Sequence, residues 1–174
     1  QEQLLEATRV LASQLSSNAA EEKGKYLAHA LAGQVPIIYS STANLAIAFT
    51  WKLKFCETAK IPAFWNVFPE LNHSEMNGFD PFVTTKPLIE NFAFIFLTDI
   101  QDHQRIKKRM EVLEKLYKKR GLPVELIELI GSSVPEKIFS SLVLADWVAL
   151  YLAKQYGTDP EQVPMVEEFK KLIL

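Results

Sequence analysis

The spacing of apolar positions changes repeatedly along this chain, and each change predicts an element. Leu4, Leu11 and Leu15 recur at helical spacing and predict an amphipathic helix over residues 2–17, ended by Ser16, Ser17 and Asn18. A second helix is expected from about Ala20, with Tyr26, Leu27, Ala30 and Leu31 as its buried stripe and Gly33 just past its end. Residues 35–39 are a short apolar run between Gly33 and Ser40-Ser41-Thr42, the pattern of a strand covered on both faces. A helix over 43–58 follows, with Ala46, Phe49 and Leu53 on one face. Residues 61–68, rich in aromatic and branched side chains, predict a strand, and 69–81 a loop with Asn72, Asn77, Gly78 and Asp80 as turn formers. The run NFAFIFL at 91–97 predicts a buried strand. In 102–120, Ile106, Met110, Leu113 and Tyr117 form a helical stripe that Gly121 ends. A strand is expected over 124–129, a long helix buried on most sides over 135–156, and a short helix over 164–172.

Strands alternating with helices at least four times predict an α/β domain, a three-layer α/β/α sandwich with a mainly parallel sheet. Such sheets bind ligands beyond the carboxyl ends of their strands. The loops at 40–43, 68–81, 98–102 and 130–135 are therefore the places to look for chemistry.

Composition narrows the class. The 174 residues suit one domain, and 48% hydrophobic with 23% charged residues is ordinary for a globular protein. The 11 Phe, 5 Tyr and 3 Trp argue against a disordered chain, and Cys56 has no second cysteine with which to build a disulfide scaffold. The apolar stretch at 142–153 is interrupted by Asp146 and falls short of the roughly 20 residues that span a membrane, so no membrane partner is expected. Asp146 itself is expected to be buried and hydrogen-bonded. A net charge of -2 and a pI near 6.0 argue against a nucleic-acid partner. Residues 102–120 carry eight Lys or Arg against three Asp or Glu, which reads as the solvated face of an amphipathic helix. The polar start, without an initiator Met, is expected to be a cut within something longer.

Candidate chemistry gathers in three places. Ser40, Ser41 and Thr42 join a buried strand to a helix, where hydroxyls either hold a phosphate or cap the helix; the cap carries more weight because the loop lacks glycine and lysine. Glu70, His73 and Glu75 crowd six residues after a strand, either as an acid/base site or as a polar loop facing water. Glu57 falls near a helix C-terminus, where the macrodipole disfavours a carboxylate. Cys56, beside it, reads as a small buried hydrophobe.

Longer segments carry a resemblance. Val35-Pro36-Ile37-Ile38-Tyr39, Trp51-Lys52, Glu57, Ala59-Lys60-Ile61-Pro62-Ala63-Phe64, Pro69-Glu70-Leu71-Asn72-His73, Glu75 and Gly78-Phe79 follow one another in order. Ala145-Asp146-Trp147, Tyr151-Leu152-Ala153 and Gly157-Thr158-Asp159-Pro160 continue the series. Together they resemble the C-terminal sugar-isomerase (SIS) domain of bifunctional phosphoglucose/phosphomannose isomerases. The chain departs from that pattern at Thr50, Cys56, Thr58, Ser74 and Glu161.

The resemblance implies a flavodoxin-like SIS domain over 34–174, preceded by helices at 1–33 that would connect it to a first SIS domain. It implies a cytoplasmic enzyme of glycolysis and gluconeogenesis that interconverts glucose 6-phosphate or mannose 6-phosphate with fructose 6-phosphate through a cis-enediol. It implies a homodimer with an active site shared between subunits, a sugar phosphate as substrate, and no metal or organic cofactor. The matching positions make Glu57 the group that moves the proton, His73 the ring-opening histidine supplied by a neighbouring subunit, and Lys170 a site lysine, with Lys171 one register away. Ser40, Ser41 and Thr42 would touch substrate. The chain alone, without the first domain's phosphate loop, is expected to be inactive. A second reading is a non-catalytic SIS module that binds a sugar phosphate or mediates dimerisation, motivated by Thr50, Cys56 and Thr58.

Overall fold

In the computed structural model, residues 2–15 and 18–173 are described. Ser16 and Ser17, the expected break after the first helix, lie outside them, as do the side chains of Leu11 and Leu15. Four strands, β1 (Val35–Ser41), β2 (Phe64–Phe68), β3 (Phe92–Thr98) and β4 (Val124–Glu128), form one parallel sheet in the order β2-β1-β3-β4. All three pairings are parallel, with Ile37 opposite Phe64 and Phe94, and Phe94 opposite Val124. The chain therefore steps one way from β1 to β2 and the other way from β3 to β4, so the topology reverses between β1 and β3.

Because side chains alternate across a strand, β1 and β3 feed two cores. Ile38, Ile95 and Leu97 point to one face. There they meet α2 (Asn18–Ala30), α3 (Leu45–Lys54) and α7 (Val134–Tyr156) through Leu27, Trp51, Val148 and Leu152. Ile37, Tyr39, Phe94 and Phe96 point to the other. That face is covered by α6 (Gln104–Lys119) and by the segment after β2, through Leu71, Met110, Leu113 and Tyr117. This is the α/β/α sandwich that alternation of the elements predicts. Trp51 is fully buried, and its indole donates to Ser141 Oγ at 2.9 Å.

Several expectations shift. The predicted 43–58 helix is three pieces: a 3-10 turn at Thr42–Asn44, α3, and a π turn at Phe55–Ala59. The strand predicted from residue 61 begins at Phe64. Lys60 holds φ 60, and Pro62 has no N–H for the ladder, so pairing starts beyond both. The 69–81 loop contains a 3-10 turn at Glu70–Asn72 and one short helix, α4 (Glu75–Gly78), and is followed by α5 (Lys86–Ile89). Leu4 in α1 (Glu2–Leu15) is exposed, and of the expected buried stripe of α2 Leu27 and Leu31 are buried while Tyr26 and Ala30 are exposed.

Asp146 is not buried. Its side chain is 54% exposed and meets Lys54 Nζ at 2.7 Å. The apolar run around it is continuous in sequence, but 3.6 residues per turn leaves one strip of α7 outward, and Asp146 falls on that strip.

Gly24 marks where α2 and α7 touch. A Cβ added there would lie 2.4 Å from Trp147 Cβ, with α7 backbone just behind. Gly24→Ala is expected to destabilise the fold by about 1–3 kcal/mol, despite alanine's higher helix propensity. An unchanged denaturant midpoint would show that the helices part freely.

Candidate active site

Glu57 sits where α3 widens. Phe55 and Ala59 are anchored in the core, and the N–H groups of Lys60 and Ile61 both reach the Phe55 carbonyl, the latter at 3.2 Å. The bond from Lys60 spans five residues, and such π turns insert a residue that re-aims its neighbours. Here Cys56 and Glu57 are turned outward between two anchors. They line a cavity of about 610 Å³ together with Lys60, Thr158, Asp159 and Met165. Lys60 closes the arrangement: its ammonium donates to the Glu57 carbonyl and, at 3.3 Å, to Pro160 O. The turn that carries the carboxylate is thereby tied to the segment leading into α8 (Pro164–Leu172). Cys56 is half-buried at the cavity wall rather than enclosed in the core.

His73 and Glu57 are on opposite faces of the sheet. The Glu57 turn belongs to the core of α2, α3 and α7, while Leu71, just before His73, belongs to the core under α6. His73 is exposed, as is Glu70. Glu75 alone of the Glu70–His73–Glu75 group turns inward, accepting from the Tyr39 hydroxyl at 2.6 Å and from Asn66 Nδ2. The group does not converge as one acid/base site within this chain. Glu75 instead ties the loop to β1 and β2, and burial first, then the neighbouring Tyr117 and this bond to Glu75, holds the Tyr39 phenol above its ordinary range. Arg109 on α6 steadies the loop from outside, donating to Asn72 Oδ1 at 3.2 Å.

Lys170 lies on the exposed side of α8, paired with Glu167 at 2.9 Å. It does not line the Glu57 cavity; Pro164, Met165 and Val166 of the same helix do. One chain thus brings only Glu57, of the three residues Glu57, His73 and Lys170, to that cavity.

The serine segment does not form the expected cap. Neither Ser41 nor Asn44 caps a following backbone N–H. Ser40 and Ser41 are buried, with Ser40 Oγ donating to Ser41 O at 3.0 Å and Ser41 Oγ accepting from Asn44 Nδ2 at 3.2 Å. Thr42 is exposed and donates to Phe68 O at 3.0 Å.

Behind Ser41 is a polar network that the pattern reading missed. Lys137, on the first turns of α7, donates to both oxygens of Asp99 at 2.9 and 2.8 Å and to Gln101 Oε1 at 3.1 Å. Asn44 Nδ2 reaches Asp99 Oδ2 at 3.2 Å. Burial pushes the Asp99 carboxyl up, but the bonds from Lys137, the Gln101 N–H and Asn44 outweigh it and hold Asp99 below the usual carboxylate range. Gly131 lets the loop after β4 pass this turn, since a Cβ there would lie 2.5 Å from Lys137 N. The signal available in the sequence was an aspartate directly after a nearly all-apolar strand.

Comparison with known proteins agrees with the fold. The family model for the bacterial phospho-glucose isomerase C-terminal SIS domain matches residues 20–173. A bifunctional phosphoglucose/phosphomannose isomerase of Aquifex aeolicus is 32% identical over 152 residues, covering 87% of this chain and 46% of that protein. One from Caldicellulosiruptor bescii is 39% identical over 153 residues, covering 86% of this chain and 44% of that protein. The chain thus spans a little under half the length of these relatives. Among solved structures, a hypothetical protein from Thermus thermophilus aligns over 98% of this chain and 48% of its own, at 14% identity and a TM-score of 0.71. The C-terminal domain of glucosamine-fructose-6-phosphate aminotransferase from Francisella tularensis aligns over 93% of this chain and 46% of its own, at 15% identity and a TM-score of 0.64. At those identities the structures speak for the fold. The family match, which runs through the Glu57 turn, the His73 loop and α8, carries more: this chain belongs to the family of bacterial phospho-glucose isomerase C-terminal SIS domains.

Proposed function

We propose that this domain is half of a homodimeric, cytoplasmic sugar-phosphate isomerase that interconverts glucose 6-phosphate or mannose 6-phosphate with fructose 6-phosphate. The observation that carries the reading is Glu57 on a π turn at the rim of the roughly 610 Å³ cavity, in a chain of this family. The Glu57 carboxylate takes the proton from C2 of the open-chain aldose, leaving a cis-enediol, and returns it to C1 to give the ketose. His73 moves the proton that opens the ring, a task suited to a group titrating near neutrality. Lys170 or its neighbour Lys171 contacts substrate from α8. A preceding domain supplies most phosphate contacts, with residues 1–33 as the connector, and Thr42 with the backbone beside it adds the contact from this half.

The placement of Glu57 and His73 on opposite faces of the sheet supports a site shared between subunits: His73 serves the Glu57 of its neighbour. The test uses the full-length protein in two variants, Glu57→Gln and His73→Ala, each expected to be inactive on glucose 6-phosphate. Mixed after denaturation and refolding, they regain about a quarter of wild-type turnover, because half the dimers are hybrids with one intact site. Hybrids that stay inactive rule out sharing, and a wild-type protein without turnover removes the isomerase assignment.

A further inference from the structure

One residue of this fold holds a backbone conformation that its side chain disfavours. Lys60, with φ 60 and ψ 32, is the one non-glycine with positive φ among the described residues. The other left-handed positions, Gly33, Gly121 and Gly157, follow α2, α6 and α7 and carry no Cβ. The backbone duty at Lys60 is to close the π turn by donating its N–H to the Phe55 carbonyl. Glycine would make that bond without the steric penalty that a Cβ meets there. Strain of this kind persists where the surroundings over-determine it, and it gathers at functional sites. What glycine would lose here is the lysine side chain.

That side chain bridges the two walls of the Glu57 cavity. One wall is the π turn, with Cys56 and Glu57; the other is the segment after α7, with Thr158, Asp159, Val163 and Met165. The Lys60 ammonium donates to the Glu57 carbonyl and, at 3.3 Å, to the Pro160 carbonyl. The second wall otherwise bonds to itself and to α7. The Glu161 N–H reaches Asp159 Oδ1 at 2.8 Å, and the Thr158 N–H reaches Ala153 O at 3.0 Å. Among the described residues, the bond from Lys60 to Pro160 is the hydrogen bond that joins the two walls. The bond to residue 57 goes to its carbonyl, so it fixes the backbone that carries the carboxylate and leaves the carboxylate itself to exchange a proton.

We infer that Lys60 is a positioning residue for the isomerase reaction, an inference that rests on Glu57 being its base. The ammonium holds the Glu57 turn and the segment leading into α8 in one register, and so sets where the carboxylate meets C1 and C2 of the substrate. Glu57 is exposed on its turn, so packing does not fix its place; the clasp does. Moving a proton between adjacent carbons needs a near-attack geometry, and a displacement of about 1 Å costs roughly 10²-fold. The strained position carries a lysine because the site uses the reach of its side chain.

The experiment compares the full-length wild type with Lys60→Gly, Lys60→Asn and Glu57→Gln. Glycine and asparagine both tolerate the left-handed backbone, and neither has the reach to bridge the walls. Both variants are expected to match or exceed the wild-type melting temperature. Their kcat on glucose 6-phosphate is expected to fall roughly 10- to 100-fold, with KM within about twofold of wild type. Hydrogen exchange is expected to quicken in residues 55–61 and 158–166 and to stay unchanged in β1 and β3. A purely structural lysine gives a different result: turnover intact, or turnover lost only in step with melting temperature. Either overturns the proposal. So does a loss confined to KM, which marks a binding contact, or exchange that is unchanged in both segments or quickened throughout. Full turnover in Glu57→Gln, or none in the wild type, removes the isomerase reading and this proposal with it. Turnover lost in Glu57→Gln but kept in Lys60→Gly overturns this proposal alone.

Discussion

Glu57→Gln in the full-length protein is expected to lower isomerase turnover by roughly 10²–10⁴-fold, the usual contribution of a positioned general base. The amide preserves the shape of the side chain but accepts no proton from C2 and returns none to C1. The loss appears in kcat, because substrate binding does not depend on that proton. The side chain is exposed on the π turn, so the variant keeps its melting temperature, within the ±0.5 kcal/mol typical of surface changes. Loss of turnover without loss of stability separates a chemical role from a structural one. Undiminished turnover in a folded variant removes Glu57 from the mechanism, whereas a wild-type protein that binds fructose 6-phosphate without turnover favours the non-catalytic module.

Lys137→Met is expected to cost about 3–5 kcal/mol at neutral pH, because it leaves the buried Asp99 carboxylate without its counter-charge. The pH dependence has a definite sign. In the wild type, Asp99 titrates below its unfolded value, so the pair's stabilisation is complete above the ordinary carboxylate pKa of about 3.9 and is lost as pH falls through the folded one. In the variant, burial is unopposed by Lys137, Asp99 prefers to be protonated, and stability improves as pH falls. The gap between the two proteins therefore narrows on acidification. Urea unfolding at pH 7 and pH 4 measures it, and a gap that stays constant or widens shows that Asp99 is not the group Lys137 serves. Double replacement by apolar residues of matched volume is expected to recover much of the loss, as buried pairs often do.

Much of the architecture was legible before any coordinate. The short apolar runs at 35–39 and 91–97 are covered on both faces because they form the two central strands, and a central strand has no polar side to show. The stripe Ile106, Met110, Leu113 and Tyr117 packs inward as spaced, and the lysines and arginines opposite form surface pairs such as Lys115 with Glu111. Errors gathered where local pattern is degenerate. Asp146 looked buried because its neighbours in sequence are apolar, yet its neighbours in space are Lys54 and solvent. Ser41 looked like a cap because of residue type, but its hydroxyl is occupied by Asn44.

The candidate site divides along the same line. Glu57, His73 and Lys170 came from ordered motifs, and residue identity alone carried them. That Glu57 lines a cavity required a π turn, which depends on Phe55 and Ala59 both reaching the core and on Lys60 adopting a left-handed conformation. That Glu57 and His73 lie on opposite faces of the sheet required the β1–β2 crossover. The Lys137–Asp99 network joins positions 38 residues apart that share no periodic signal. Periodicity along the chain determined the elements and the faces they bury, because it is set by residues three, four or two apart. The meeting of distant polar groups was decided only by tertiary structure, because burial makes each unpaired group costly and so selects the partner that packing brings within reach.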